Sequence, residues 1–73
     1  MATYVNANPN VNVRTGAGTN FPFIASSPWN NGTEVERDGS LVEDSSGYKW
    51  QYSIKVSNRS HKGYIRNDFL VDR

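Results

Sequence analysis

One histidine, eight serines and a cluster of carboxylates are the groups in these 73 residues with the most obvious chemical reach. His61 stands among Arg59, Ser60 and Lys62 in a polar stretch. A general base needs a positioned partner and a pocket, so His61 reads as a solvated loop residue. No serine lies in a Gly-x-Ser-x-Gly elbow, and a triad would have to rely on His61 alone. The chain has no cysteine, which removes disulfides and thiolate metal sites. Glu34, Glu36, Asp38, Glu43 and Asp44 cluster in sequence, and Glu34 and Glu36 project to one strand face. Two carboxylates fall short of the roughly six to eight oxygens that calcium prefers, so this reads as a solvated face. Gly16-Ala17-Gly18 lacks the lysine and helix of a phosphate loop. Asn31-Gly32-Thr33 and Asn58-Arg59-Ser60 fit the glycosylation pattern but read as turns. The chain is expected to have no catalytic residue, no metal site and no cofactor.

Aromatic side chains are the better lead. Nine residues are Phe, Trp or Tyr, more than one small core obviously needs. Rings with polar tips give large contact area at small entropy cost, which suits surfaces that bind extended peptides or sugars. Trp50, Tyr52, Tyr64 and Phe69 read as core-filling. For Phe21, Trp29 and Tyr48, core and surface both remain open.

The elements that must position these groups are short strands. Val11 and Val13 alternate with Asn12 and Arg14, the period-two pattern of a strand with one buried face. Gly16 and Gly18 then break the strand, and a loop runs from Thr15 to Asn31. Loops longer than about 12 residues are uncommon and often functional. Its apolar island, Phe21 to Ala25, should tuck Phe23 or Ile24 into the core. Thr3 to Val5 reads as a strand, and Asn6 to Asn10, with Pro9, as a turn. Thr33 to Arg37 and Ser40 to Glu43 read as two strands of a hairpin closed by Asp38-Gly39. Asp44 to Gly47 is a polar turn. Tyr48 to Val56 is the longest strand, with Trp50, Tyr52 and Ile54 expected on one face and Lys49, Gln51, Ser53 and Lys55 on the other. After a polar loop come strands over Gly63 to Arg66 and Phe69 to Val71, with at most one helical turn at Asn67-Asp68. No window carries helical periodicity. Short strands with turns about every 8–12 residues indicate a small barrel or sandwich.

The length allows one domain at most, stable by roughly 3–5 kcal/mol without staples. Net charge is +1, so the footprint of a nucleic-acid binder is missing. No run of about 18 apolar residues could span a bilayer. Met1-Ala2-Thr3 leads straight into a strand-like segment, so no signal peptide is expected.

Five motifs in order resemble bacterial SH3 domains. Asn12-Val13-Arg14-Thr15-Gly16 is similar to the opening "N-V-R-[ST]-G" of that family. Gly32-Thr33-Glu34-Val35 resembles its "G-x-x-V", and Tyr48-Lys49-Trp50 its aromatic third strand. Gly63-Tyr64-Ile65 is similar to "G-[WY]-[VI]", and Phe69-Leu70 to the closing aromatic-leucine pair. The likeness runs from about residue 3 to residue 71. It implies an all-β, SH3-like barrel of five to seven short strands over residues 1–73, cut from a larger protein. It also implies a groove between the long loop and the Asp44–Tyr48 turn. Phe21, Trp29, Tyr48 and Tyr4 would contribute rings to this groove, and Asn12 and Asn20, together with Asn10 and Thr19, polar groups. Such domains commonly bind peptidoglycan peptides and bring an attached cell-wall hydrolase to its substrate. The resemblance therefore implies a non-catalytic wall-binding module, extracellular or wall-associated; its oligomeric state is open with a monomer favoured, and charge and hydropathy leave no nucleic-acid partner and no membrane insertion expected. The alternative is a protein–protein interaction or intramolecular regulatory module that binds an extended or proline-containing peptide. The link before Gly32 and the polar hairpin at Asn58 depart from the family pattern.

Overall fold

Val5, Val11, Val13, Val35 and Ile65 each stand between polar or aromatic neighbours in sequence, and each is buried. Together with Trp29 they form one connected core, against which Ala7, Ile24, Phe69 and Leu70 pack. A computed structural model describes residues 1–73. Eight strand segments surround the core: β1 (Thr3–Val5), β2 (Asn10–Val11), β3 (Trp29–Asn30), β4 (Glu34–Arg37), β5 (Val42–Glu43), β6 (Lys49–Lys55), β7 (Lys62–Arg66) and β8 (Leu70–Asp72). A single turn of 3-10 helix, Asn67–Phe69, joins β7 to β8. The fold is a small all-β, SH3-like barrel in which every strand pairing is antiparallel.

β6 is the axis of the sheet. One of its edges pairs with β7, and the other pairs with β4 and β5 end to end. The sheet continues from β4 through β1 to β8. β2 and β3 form a separate ribbon in which Val11 faces Trp29. Arg14 closes the wall: its backbone exchanges two hydrogen bonds with Tyr64 of β7, at 3.0 and 2.8 Å, and it also bridges to Phe23. Gly63 permits this approach, because a β carbon there would lie 2.8 Å from the Arg14 carbonyl oxygen and from Val13 Cγ1.

Asp38-Gly39 is not the turn of a β4–β5 hairpin. Arg37 pairs with Ser53 and Val42 with Trp50. Residues 38–41 therefore oppose Gln51 and Tyr52, and β4 and β5 are one strand interrupted by a bulge. Counted so, the strands number seven. Gly39 has a φ of 79°, the left-handed geometry that serves a bulge as readily as a hairpin. The sequence signal was the same for both.

The faces of β6 are also reversed from expectation. Gln51 pairs with the fully buried Ile65, and Lys55 with the buried Val35, so Gln51, Ser53 and Lys55 face inward. The Gln51 amide and the Ser53 hydroxyl are hydrogen-bonded there. Gln51 Nε2 donates to the carbonyls of Asp38 and Gly39 in the bulge, at 3.3 and 3.1 Å, and Ser53 Oγ donates to Gln51 O. Lys55 Nζ lies 5.1 Å from the Trp29 ring centroid. Tyr52 and Tyr64 are therefore not core residues; they meet edge to face on the outer surface, 5.1 Å apart. Of the loop's apolar island, Ile24 packs on the core while Phe23 is 55% exposed.

Candidate functional site

Residues on the outward parity of the barrel wall build the one cleft lined by aromatic rings. Val13 points in, so Asn12 and Arg14 point out. Ile65 points in, so Tyr64 and Arg66 point out, and Trp50, which pairs with Arg66, shares that face. The resulting cleft holds about 260 Å³. Asn10, Asn12, Arg14 and Thr19 line it from the N-terminal part of the chain, and Trp50, Arg66 and Phe69 line it from β6, β7 and the 3-10 turn. The three other surface depressions carry no Phe, Tyr or Trp.

Arg14 organises the N-terminal part of the lining. Its Nη1 donates to the carbonyls of Thr19 and Phe21, at 3.0 and 2.9 Å, and folds the long loop back over its own start. Its guanidinium carbon sits 4.6 Å from the Phe23 ring centroid. The Phe21 ring lies on Gly16, where a β carbon would stand 2.5 Å from a ring atom.

Trp50 organises the part of the lining that β6 and β7 supply. It is buried but lies outside the connected core. Its Nε1 donates to Asp44 Oδ2 at 2.8 Å. The other oxygen of Asp44 accepts from the backbone N–H groups of Ser46 and Tyr48, at 2.8 and 3.0 Å. The indole bond above all holds the Asp44 carboxyl below its ordinary value; burial opposes it, and the backbone donors each add a smaller lowering effect. Beside Trp50, the Arg66 guanidinium carbon lies 4.4 Å from the Tyr48 ring centroid and 4.7 Å from that of Phe69.

The expected site residues divide. Asn12 lines the cleft, as do Asn10 and Thr19. Tyr48, 46% exposed, supports Arg66 from the rim. Phe21, 41% exposed, reaches the site through its carbonyl on Arg14. Trp29 does not belong to the site: it is 1% exposed in the core, with its Nε1 donating to Ser26 Oγ. Tyr4 is also elsewhere, on β1 opposite Glu34 and Val71 with the Arg73 guanidinium over its ring. Asn20 stays on the exposed loop with its amide oxygen near Gly18, outside the cleft. Arg14, Trp50, Arg66 and Phe69 complete the cleft and were missed. For Arg14 the signal was available, since it shares the parity of Asn12.

His61 sits in the β6–β7 loop, its Nε2 3.3 Å from Asn58 Nδ2, and lines a different depression. No group of three or more His, Cys, Asp or Glu is placed to hold a metal. No helix is long and apolar enough to cross a membrane. No protein-family model, curated protein or solved structure matches the chain.

Proposed function

We propose that this domain is a non-catalytic bacterial cell-wall-binding module that holds a peptidoglycan peptide in the Arg14–Trp50 cleft and targets an attached wall hydrolase. The observation that carries this reading is the cleft's composition: a buried indole and two asparagine amides in one lining. Amides and a hydroxyl can match the donors and acceptors of an extended peptide backbone, while rings cover its apolar stretches with little loss of side-chain freedom. The sequence likeness to bacterial SH3 domains supplies the wall as the source of that peptide. The module would act outside the cell or within the wall.

Co-sedimentation of the purified chain with purified walls from several bacterial species tests the reading, with cellulose as a control particle. Saturable binding to walls, competed by soluble wall peptides, is expected. Failure to bind any of the walls overturns it and moves the interaction-module reading ahead.

A further inference from the structure

We infer that Arg66 is a carboxylate fork, and that the ligand enters the cleft with the free C-terminal carboxylate of a peptide; this deepens the wall-peptide reading and rests on it. Four of the five arginines are otherwise placed. Arg14 spends its donors on loop carbonyls. Arg37 grips Asp72 through two bonds and also donates to Gln51 and Asn67. Arg59 pairs with both oxygens of Glu36. Arg73 lies over Tyr4, away from the cleft.

Arg66 differs from all of them. It lines the cleft, its side chain is 26% exposed, and two rings hold its guanidinium. Its Nε is shielded from solvent and has no hydrogen-bond acceptor. Asp68 Oδ2 lies 3.4 Å from that Nε, an ion-pair distance without hydrogen-bond geometry, and Asp68 is 55% exposed. Ring contacts engage the flat faces of a guanidinium and leave its edge donors unspent. A planar fork held in this way matches a carboxylate through two parallel bonds. Rigid support also lowers the entropy lost when those bonds form.

The surroundings favour one anion on a peptide over a polyanion. Arg14 is the only other cation in the cleft, and Asp44 is tied to the Trp50 indole and backbone N–H groups. A net charge of +1 gives no extended field for a phosphate polymer. Asn10 and Asn12 line the same cleft as Arg66, and the antiparallel register of Arg14 on Tyr64 brings Asn12 beside Arg66, where peptide groups preceding the carboxylate would lie.

The test uses a synthetic wall stem pentapeptide whose only carboxylate is the C-terminal one, and the same peptide as a C-terminal amide. Both are titrated into the full chain and followed by NMR, including the Arg66 side-chain N–H signals. Loss of a charge-assisted pair should weaken binding roughly 10- to 100-fold, so the acid should bind tighter than the amide by that factor. Arg66→Gln should bind acid and amide alike, and Arg66→Lys should recover only part of the preference. Equal binding of acid and amide by the parent chain overturns the fork while leaving peptide binding in the cleft intact. A preference that survives in Arg66→Gln overturns it as well. So does tighter binding of poly(glycerol phosphate) than of the acid peptide. Binding of neither peptide overturns both this inference and the wall-peptide reading. The comparison on the parent chain decides the matter even if the variants do not fold.

Discussion

Asp44 and Trp50 are joined by one short bond, indole Nε1 to carboxylate Oδ2 at 2.8 Å, so a single side chain both closes the turn before β6 and fixes the wall of the cleft. The turn and the binding surface are therefore one mechanical unit. Gly47, at a φ of 89°, supplies the left-handed residue that brings the Tyr48 N–H back to Asp44.

That bond makes stability acid-sensitive in a known direction. The folded-state pKa of Asp44 is lowered, first by the Trp50 indole. A carboxyl lowered in the folded state contributes stability in full above its unfolded pKa, about 3.9, and loses it as pH falls through the lower folded value. Asp72, held by Arg37 and Thr3, and Glu36, held by Arg59, act in the same sense. Asp44→Asn should thus be less stable than the parent at pH 7, with the gap narrowing below about pH 4. Urea unfolding at pH 7 and pH 3 measures it. An unchanged gap would mean that the ionisation of Asp44 contributes nothing.

Trp29 is expected to behave as core. Truncating a fully buried tryptophan costs about 3–5 kcal/mol, as much as the roughly 3–5 kcal/mol a core this size supplies. Trp29→Ala should be largely unfolded at 25 °C, whereas Phe23→Ala, at a site 55% exposed, should melt within a few degrees of the parent. Thermal melts followed by circular dichroism separate the two.

The contrast between Trp29 and Trp50 also marks what the sequence could reveal. Most strand positions and the all-β class were legible, because valines at alternate positions and Gly/Asn/Asp turns report local geometry directly; β3 at Trp29–Asn30 lay inside what read as loop, and Asp38-Gly39 read as a hairpin where the chain bulges. Which face of β6 points inward was not. Trp50, Tyr52 and Ile54 outrank Gln51, Ser53 and Lys55 in hydrophobicity, yet the bulge at 38–41 presents carbonyls that only an inward amide such as Gln51 can satisfy. That pairing is non-local and leaves no periodic trace. The same reversal takes Trp50 out of the connected core and into the cleft, while Trp29, for which core and surface were both open, is core. The loop's fold over Arg14 was hidden for a related reason: a guanidinium bonding two carbonyls five and seven residues away has no spacing signature.

Arg14→Ala should therefore loosen the long loop before it unfolds the domain. Two charge-assisted bonds to Thr19 O and Phe21 O are lost at a half-buried site, a global cost of about 1–2 kcal/mol. Amide hydrogen exchange at Gly18 and Phe21, whose N–H groups bond within the loop, should accelerate more than at Ile65 in the core. Uniform acceleration across these amides would show that Arg14 does not act on the loop selectively.

Gly63→Ala should separate the Arg14 segment from β7. The added methyl would meet a carbonyl oxygen and a valine methyl at 2.8 Å, and the former is backbone that cannot rotate away. Overpacking of this kind costs about 1–3 kcal/mol. Exchange at the Arg14 and Tyr64 amides, which bond one another's carbonyls, should rise with it. Parent-like protection of both amides would refute the close-approach role.

Wall binding should follow the cleft and ignore the opposite surface. Trp50 is the buried ring of the site, and a central aromatic anchor commonly contributes about 2 kcal/mol or more. Counted per folded molecule, because a ring only 4% exposed also supports the fold, Trp50→Ala should thus weaken co-sedimentation with walls roughly 30-fold, at 1.4 kcal/mol per factor of ten. Asn12→Ala, which removes one amide from the cleft lining, should weaken it by a smaller factor, near the roughly 1 kcal/mol of a neutral hydrogen bond. Tyr4→Ala lies off the cleft and should bind as the parent does. Trp29→Phe should lower stability without changing affinity per folded molecule, which separates loss of fold from loss of contact. Thermal melts of each variant supply the folded fraction. Parent-like affinity in a folded Trp50→Ala variant, or loss of binding in Tyr4→Ala, would place the ligand on another face of the barrel.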